Sequence, residues 1–189
     1  MKFSKRLKLI GYWNDKFKDG SLLFDGHNSK EYEKYPSPLE LTSPGWLGNE
    51  KSSLIAYLRS GAICVQTLGW STCRFLCNNP NVGGKELTDG VWVWPSGLAH
   101  YVEEHDVFLP EEFVDHARNN GYQIPEYAYN ICDQIWIIPE GFSRIFRRAT
   151  SSRFWWYVRW RRKGHDKSFW IEWGKNFANK GAEYHRKKE

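Results

Sequence analysis

Two cysteines and two histidines in one segment have the spacing richest in chemistry: Cys73-x3-Cys77, then twenty-two residues, then His100-x4-His105. Thiolate sulfur and imidazole nitrogen are preferred zinc ligands, and two close cysteines from a loop with two histidines from a helix can close a tetrahedron around Zn2+. The segment therefore points to a structural Cys2His2 zinc site at Cys73, Cys77, His100 and His105. Five residues of ideal helix rotate a side chain by about 140°, so His100 and His105 converge only if the helix loosens at its end. The central gap is also longer than in a zinc finger, and His116 is the nearest substitute should His105 face away. The competing reading makes Cys73 and Cys77 small buried hydrophobes and the histidines polar positions of an amphipathic helix. Cys64 and Cys132 lie in apolar runs and read as buried.

The same residues permit a cysteine hydrolase, with Cys73 as nucleophile, His100 as base and Asp89 as orienter. Arg74 could lower the thiol's pKa or make a structural ion pair. Glu103 and Glu104 lie beside the histidines, but the His-Glu-x-x-His spacing of a metallohydrolase is absent, and a solvated helix face accounts for them.

A second candidate surface is basic. Residues 144–163 carry Arg144, Arg147, Arg148, Arg153, Arg159, Arg161, Arg162 and Lys163 with no acidic residue, against a net charge of +5 for the chain. Interleaved with aromatics, Arg147, Arg148, Arg153, Arg159, Arg161, Arg162 and Lys163 could hold a single-stranded nucleic acid, with bases stacked and phosphates paired, or another acidic partner. The plainer reading is a core-filling hairpin with a solvated basic turn.

The elements that must position these groups follow from pattern. Residues 11–48 read as an irregular arm pinned by aromatics. A helix begins near Asn49 as cap, repeats Leu54, Ile55 and Leu58 on one face, and stops at Gly61. Residues 62–68 and 91–94 read as strands, with a loop over 70–90 between them, and 95–105 as a helix with Pro95 in its first turn. Another helix spans 109–120, with Pro110 at its start, Glu111 and Glu112 in its first turn and Gly121 as its stop. Residues 134–138 read as a strand and 139–148 as one or two helical turns. Residues 154–160 and 168–173 read as two aromatic strands of a hairpin. The fold class is α+β: a single domain over 1–174 with a short-stranded sheet, two to three core helices and the aromatic C-terminal hairpin, then a basic polar tail over 175–189.

With 189 residues and 17% aromatic side chains the chain can bury a substantial, rigid core. No secretory signal or membrane-spanning run is evident, so a cytoplasmic location with reduced cysteines and no membrane partner is expected.

Ile10-Gly-Tyr-Trp13, Tyr57-Leu-Arg-Ser-Gly61, Gly69-Trp-Ser-Thr-Cys-Arg-Phe75, Leu87-Thr-Asp-Gly90, Trp94-Pro-Ser-Gly-Leu-Ala-His-Tyr-Val-Glu-Glu-His105 and Leu109-Pro-Glu-Glu-Phe-Val114 together resemble a group of small uncharacterised bacterial proteins. The resemblance spans residues 10–121 and implies a bacterial or phage source and a shared core, without an activity. Members of the group carry a Cys-Arg-x-Cys knuckle, whereas this chain has the extra residue Leu76. The functional expectation is a non-enzymatic protein-binding module, immunity-like, with a structural zinc. The alternatives are a single-stranded nucleic-acid-binding protein and the Cys73 hydrolase.

Overall fold

The computed structural model describes residues 7–22, 32–66, 70–79, 82–129 and 165–186, with side chains of the last helix described to Phe177. Helix α1, Lys51–Ser60, buries Leu54, Ile55, Tyr57 and Leu58 on one face, the i, i+3, i+4 stripe of an amphipathic helix. Asn49 does not cap it. A 3-10 turn, Gly48–Glu50, leads in, and Glu50 at the cap position bonds Arg118 and Tyr122 instead of the helix amides. Gly61 follows the helix in an extended backbone, and only glycine fits there: a Cβ would lie 2.8 Å from Leu87 Cβ and Trp94 Cζ2.

Strands β1 (Lys8–Leu9), β2 (Ala62–Gln66), β3 (Lys85–Thr88) and β4 (Trp92–Pro95) form one mixed sheet in the order β1-β4-β3-β2. β4 pairs antiparallel with β3 and parallel with β1, and β2 lies antiparallel to β3. β3 arises where the sequence reads as loop, and β1 precedes the segment read as an irregular arm. β3, Lys-Glu-Leu-Thr, has weak intrinsic strand preference and is fixed by pairing on both sides, while β1 is only two residues long. Pro95 ends β4 instead of opening the next helix, so α2 is Leu98–His105.

The β3–β4 hairpin turns on Asp89, which is fully buried. Its Oδ1 accepts the amides of Val91 at 2.8 Å and Trp92 at 2.7 Å. Its Oδ2 accepts the Tyr57 hydroxyl at 2.7 Å and lies 3.3 Å from His116 Nε2. One carboxylate thus ties the hairpin to α1 and to helix α3, Glu111–Asn119, which buries Phe113, Val114 and Ala117. As expected, α3 starts behind Pro110 with Glu111 and Glu112 at its positive end.

Residues 168–173 are not a strand. They open helix α4, Ser168–Arg186, because Trp170, Trp173 and Phe177 recur at helical rather than alternating spacing. Trp170 is fully buried and donates from Nε1 to Tyr12 O at 2.6 Å, while Trp173 and Phe177 stack in series with Phe108. The tail boundary expected after residue 174 therefore falls inside α4. The other elements expected over 134–138, 139–148 and 154–160 lie outside the described residues. The core joins Tyr57, Trp92, Trp94, Tyr101, Phe113 and Trp170, and the architecture is a single α+β domain. Among the described residues no helix is long and apolar enough to cross a membrane.

Replacing Asp89 with Ala leaves a buried hydroxyl and two amides without their acceptor. The expected loss is about 3 kcal/mol of stability, read as a lowered urea midpoint; an unchanged midpoint would refute the anchoring role.

Candidate metal centre

The loop that carries the cysteines is closed at its base by backbone pairing. Ser71 donates its amide to Gly83 O at 2.8 Å, and Val82 donates to Ser71 O at 2.9 Å. This base is pressed onto the start of α2. A Cβ on Gly83 would sit 2.3 Å from Ser96 Oγ, and one on Gly97 would sit 2.3 Å from Val82 O, so both contacts require glycine.

Within the loop, Leu76 donates its amide to Cys73 O at 3.1 Å and takes a left-handed backbone, φ 53°. That conformation turns the chain between the two cysteines, at a local cost of about 1 kcal/mol. The following residue, Cys77, then turns its sulfur back towards Cys73. Arg74 is buried and serves the loop's backbone: Nε donates to Asn14 O at 2.8 Å, Nη1 donates to Thr72 O at 2.7 Å, and its amide donates to the Tyr101 hydroxyl at 3.0 Å. Its guanidinium also lies 5.2 Å from the centre of the Phe17 ring. Arg74 thereby clamps the knuckle to the N-terminal arm and to α2.

The structure brings all four expected ligands together. The ligand atoms of Cys73, Cys77, His100 and His105 lie within 4.8 Å of one another. Cys73 Sγ is 3.3 Å from both His100 Nε2 and His105 Nε2, Cys77 Sγ is 3.4 Å from His100 Nε2, and the two Nε2 atoms are 3.2 Å apart. A tetrahedral zinc with ordinary bond lengths implies about 3.6 Å between sulfur and nitrogen and about 3.3 Å between nitrogens. The three sulfur–nitrogen pairs at 3.3 to 3.4 Å and the nitrogen pair at 3.2 Å are within a few tenths of an ångström of those figures.

The helix does loosen where convergence demands it. The amides of Asp106 and Val107 both reach back to Tyr101 O, with Asp106 left-handed at φ 48°. These bonds span five and six residues instead of four, so the helix end is looser than regular α-helix right after His105. Phe75 then fixes the ring: it stacks on His105 at 4.0 Å between centroids with an 11° tilt. His116 is not needed as a substitute, since it bonds Asp89 and Asn120 instead.

The electrostatics suit a metal better than a nucleophile. Burial, together with the neighbouring Cys77, pushes the Cys73 thiol up to about 11, against amides of Phe75 and Cys77 that pull it down. Without a cation it is a protonated thiol at neutral pH. Burial holds His100 and His105 below the usual imidazole range, so both are neutral and able to ligate.

Asp89 does not orient His100, because its oxygens are committed to the hairpin, Tyr57 and His116. Glu103 pairs with Arg59 and Glu104 is exposed, in keeping with a solvated helix face. Cys64 is buried as expected, whereas Cys132 and the basic set Arg147, Arg148, Arg153, Arg159, Arg161, Arg162 and Lys163 lie outside the described residues.

The supporting roles of Phe75, Tyr101, Gly83 and Gly97 are not evident from ligand spacing. Their signal is the proximity of two glycine positions and two aromatics to the four ligands in sequence. No family model, curated protein or solved structure matches the chain, so the site stands on its own geometry.

Gly97→Ala should drive a Cβ into the Val82 carbonyl, cost about 2 kcal/mol and loosen the cysteine loop from α2. A melting curve coincident with wild type would contradict this packing. In metal-stripped protein, the lowered imidazoles make the folded state bind fewer protons than the unfolded one. That stability is complete above the ordinary value of 6.5 and falls as pH drops through 6.5 towards the lowered values. The raised Cys73 acts oppositely: its contribution is intact below 9.0 and declines as pH rises towards about 11. Melting temperature should therefore plateau between these limits, and a maximum outside them would count against the burial of these groups.

Proposed function

We propose that this chain is a non-enzymatic binding module whose cysteine loop and α2 are held together by one structural zinc ion. The carrying observation is the four-ligand cluster: Cys73, Cys77, His100 and His105 have their ligand atoms within 4.8 Å of one another. Two sulfurs and two imidazoles suit zinc, and four protein ligands leave no corner for water or substrate, as structural sites do and catalytic sites do not. The ion supplies a cross-link between a loop with little regular structure and the first and last turns of one helix. A cysteine nucleophile is disfavoured, because Cys73 is fully buried and its proposed orienter belongs to another network.

The partner would be met through exposed aromatic side chains such as Tyr127 and Tyr129. Aromatic anchors of this kind dominate binding surfaces.

Metal analysis of gently purified protein should return about one zinc per chain. Cys77→Ser should lose most of it and melt at lower temperature, as should wild type treated with a chelator. Wild type with no bound metal, or a serine variant with undiminished zinc, would overturn the reading.

A further inference from the structure

A cleft of about 560 Å³ opens beside the sheet, on the side of β2 and β3 that carries Ile63, Gln66, Lys85 and Leu87. Its volume is within the range of about 300–1,000 Å³ typical of small-ligand sites. Trp70 borders it and leaves 71% of its surface exposed, the most of any large apolar side chain among the described residues. An indole left in water forgoes burial that a packed tryptophan would gain, and its flat face is available to another flat group.

Around that face the chemistry is of one sign. The lining contains Arg59 and Lys85 and no carboxylate. Arg59 is partly engaged by Glu103, whereas among the described residues the Lys85 ammonium makes no ion pair. Gln66, paired in register with Lys85, adds an amide with both donor and acceptor, and three of the lining positions, 61, 83 and 84, are glycine. An aromatic side chain, a cation, a bidentate amide and lining positions without side chains suit a planar heterocycle joined to an anion.

We infer that this cleft binds a nucleotide, with the base stacked on Trp70, its edge read by Gln66 and its phosphate held by Lys85. The nucleotide is either free or one unit of a single strand, since stacking and phosphate pairing are common to both. The site is separate from the cysteine loop's ligands and goes beyond the structural-zinc reading. Zinc content measured on the same preparations tells failure of one from failure of the other.

The test is fluorescence anisotropy of a labelled oligothymidylate of about twelve nucleotides at low salt, with adenosine monophosphate and thymidine monophosphate as competitors. Wild type, Trp70→Ala, Trp70→Phe and Lys85→Ala are compared at matched zinc content and melting temperature. These side chains are exposed, so the variants should fold. Trp70→Ala should weaken binding at least about tenfold while Trp70→Phe retains most of it. Lys85→Ala should reduce the slope of log affinity against log salt by about 0.7. Competition by a mononucleotide at concentrations near those of the strand assigns a free nucleotide. Competition by unlabelled strand alone assigns a strand. No binding to either, or binding that Trp70→Ala leaves unchanged, would overturn the inference. So would a Trp70-dependent complex with a protein in the absence of nucleotide binding.

Discussion

The arrangement depends on four soft ligand atoms being forced into a volume that one ion can fill. Two thiols and two neutral imidazoles, with four of their pairs at 3.2 to 3.4 Å and all within 4.8 Å, make few good hydrogen bonds with each other, since sulfur is a weak donor and a weak acceptor. What positions them is external to the set. The Ser71–Gly83 ladder closes the loop, Gly97 admits the Val82 carbonyl, and Phe75 presses on the His105 ring. The site is organised by its surroundings before any ion is considered, which is what a well-defined metal centre requires of its protein.

That organisation extends through the fold in two steps. α2 packs on α1 and is held in the core by Leu98, Tyr101 and Val102, together with Trp92, Trp94 and Trp170. The sheet is in turn fixed by Asp89, whose buried oxygens bind the β3–β4 turn, α1 and α3 at once. Arg74 connects the loop to the N-terminal arm through Asn14, and the arm receives α4 through Tyr12 and Trp170.

Much of this was legible in the residues. The ligand set, the α+β class and the helices around Leu54 and Phe113 follow from type and period, because each rests on local pattern. The second strand of the expected C-terminal hairpin does not. Phe169, Ile171 and Trp173 alternate over a short window, and the helical repeat of Trp170, Trp173 and Phe177 shows only when the window extends past residue 173, where contacts with Tyr12, Phe108 and Pro36 use it. β3 is equally opaque, since Lys85 and Glu86 give no strand signal without their partners. The looser end of α2 could be required from the five-residue spacing of the histidines but not located, because it depends on where Tyr101 O finds its donors. The role of Leu76 likewise needed its backbone angle.

X-ray absorption at the zinc edge of the purified protein tests the central claim most directly, since it counts the atoms bound to the ion. Two sulfur neighbours at about 2.3 Å and two nitrogen neighbours at about 2.0 Å are predicted. A shell of oxygen neighbours without sulfur, or a protein that binds no zinc to measure, would contradict the account.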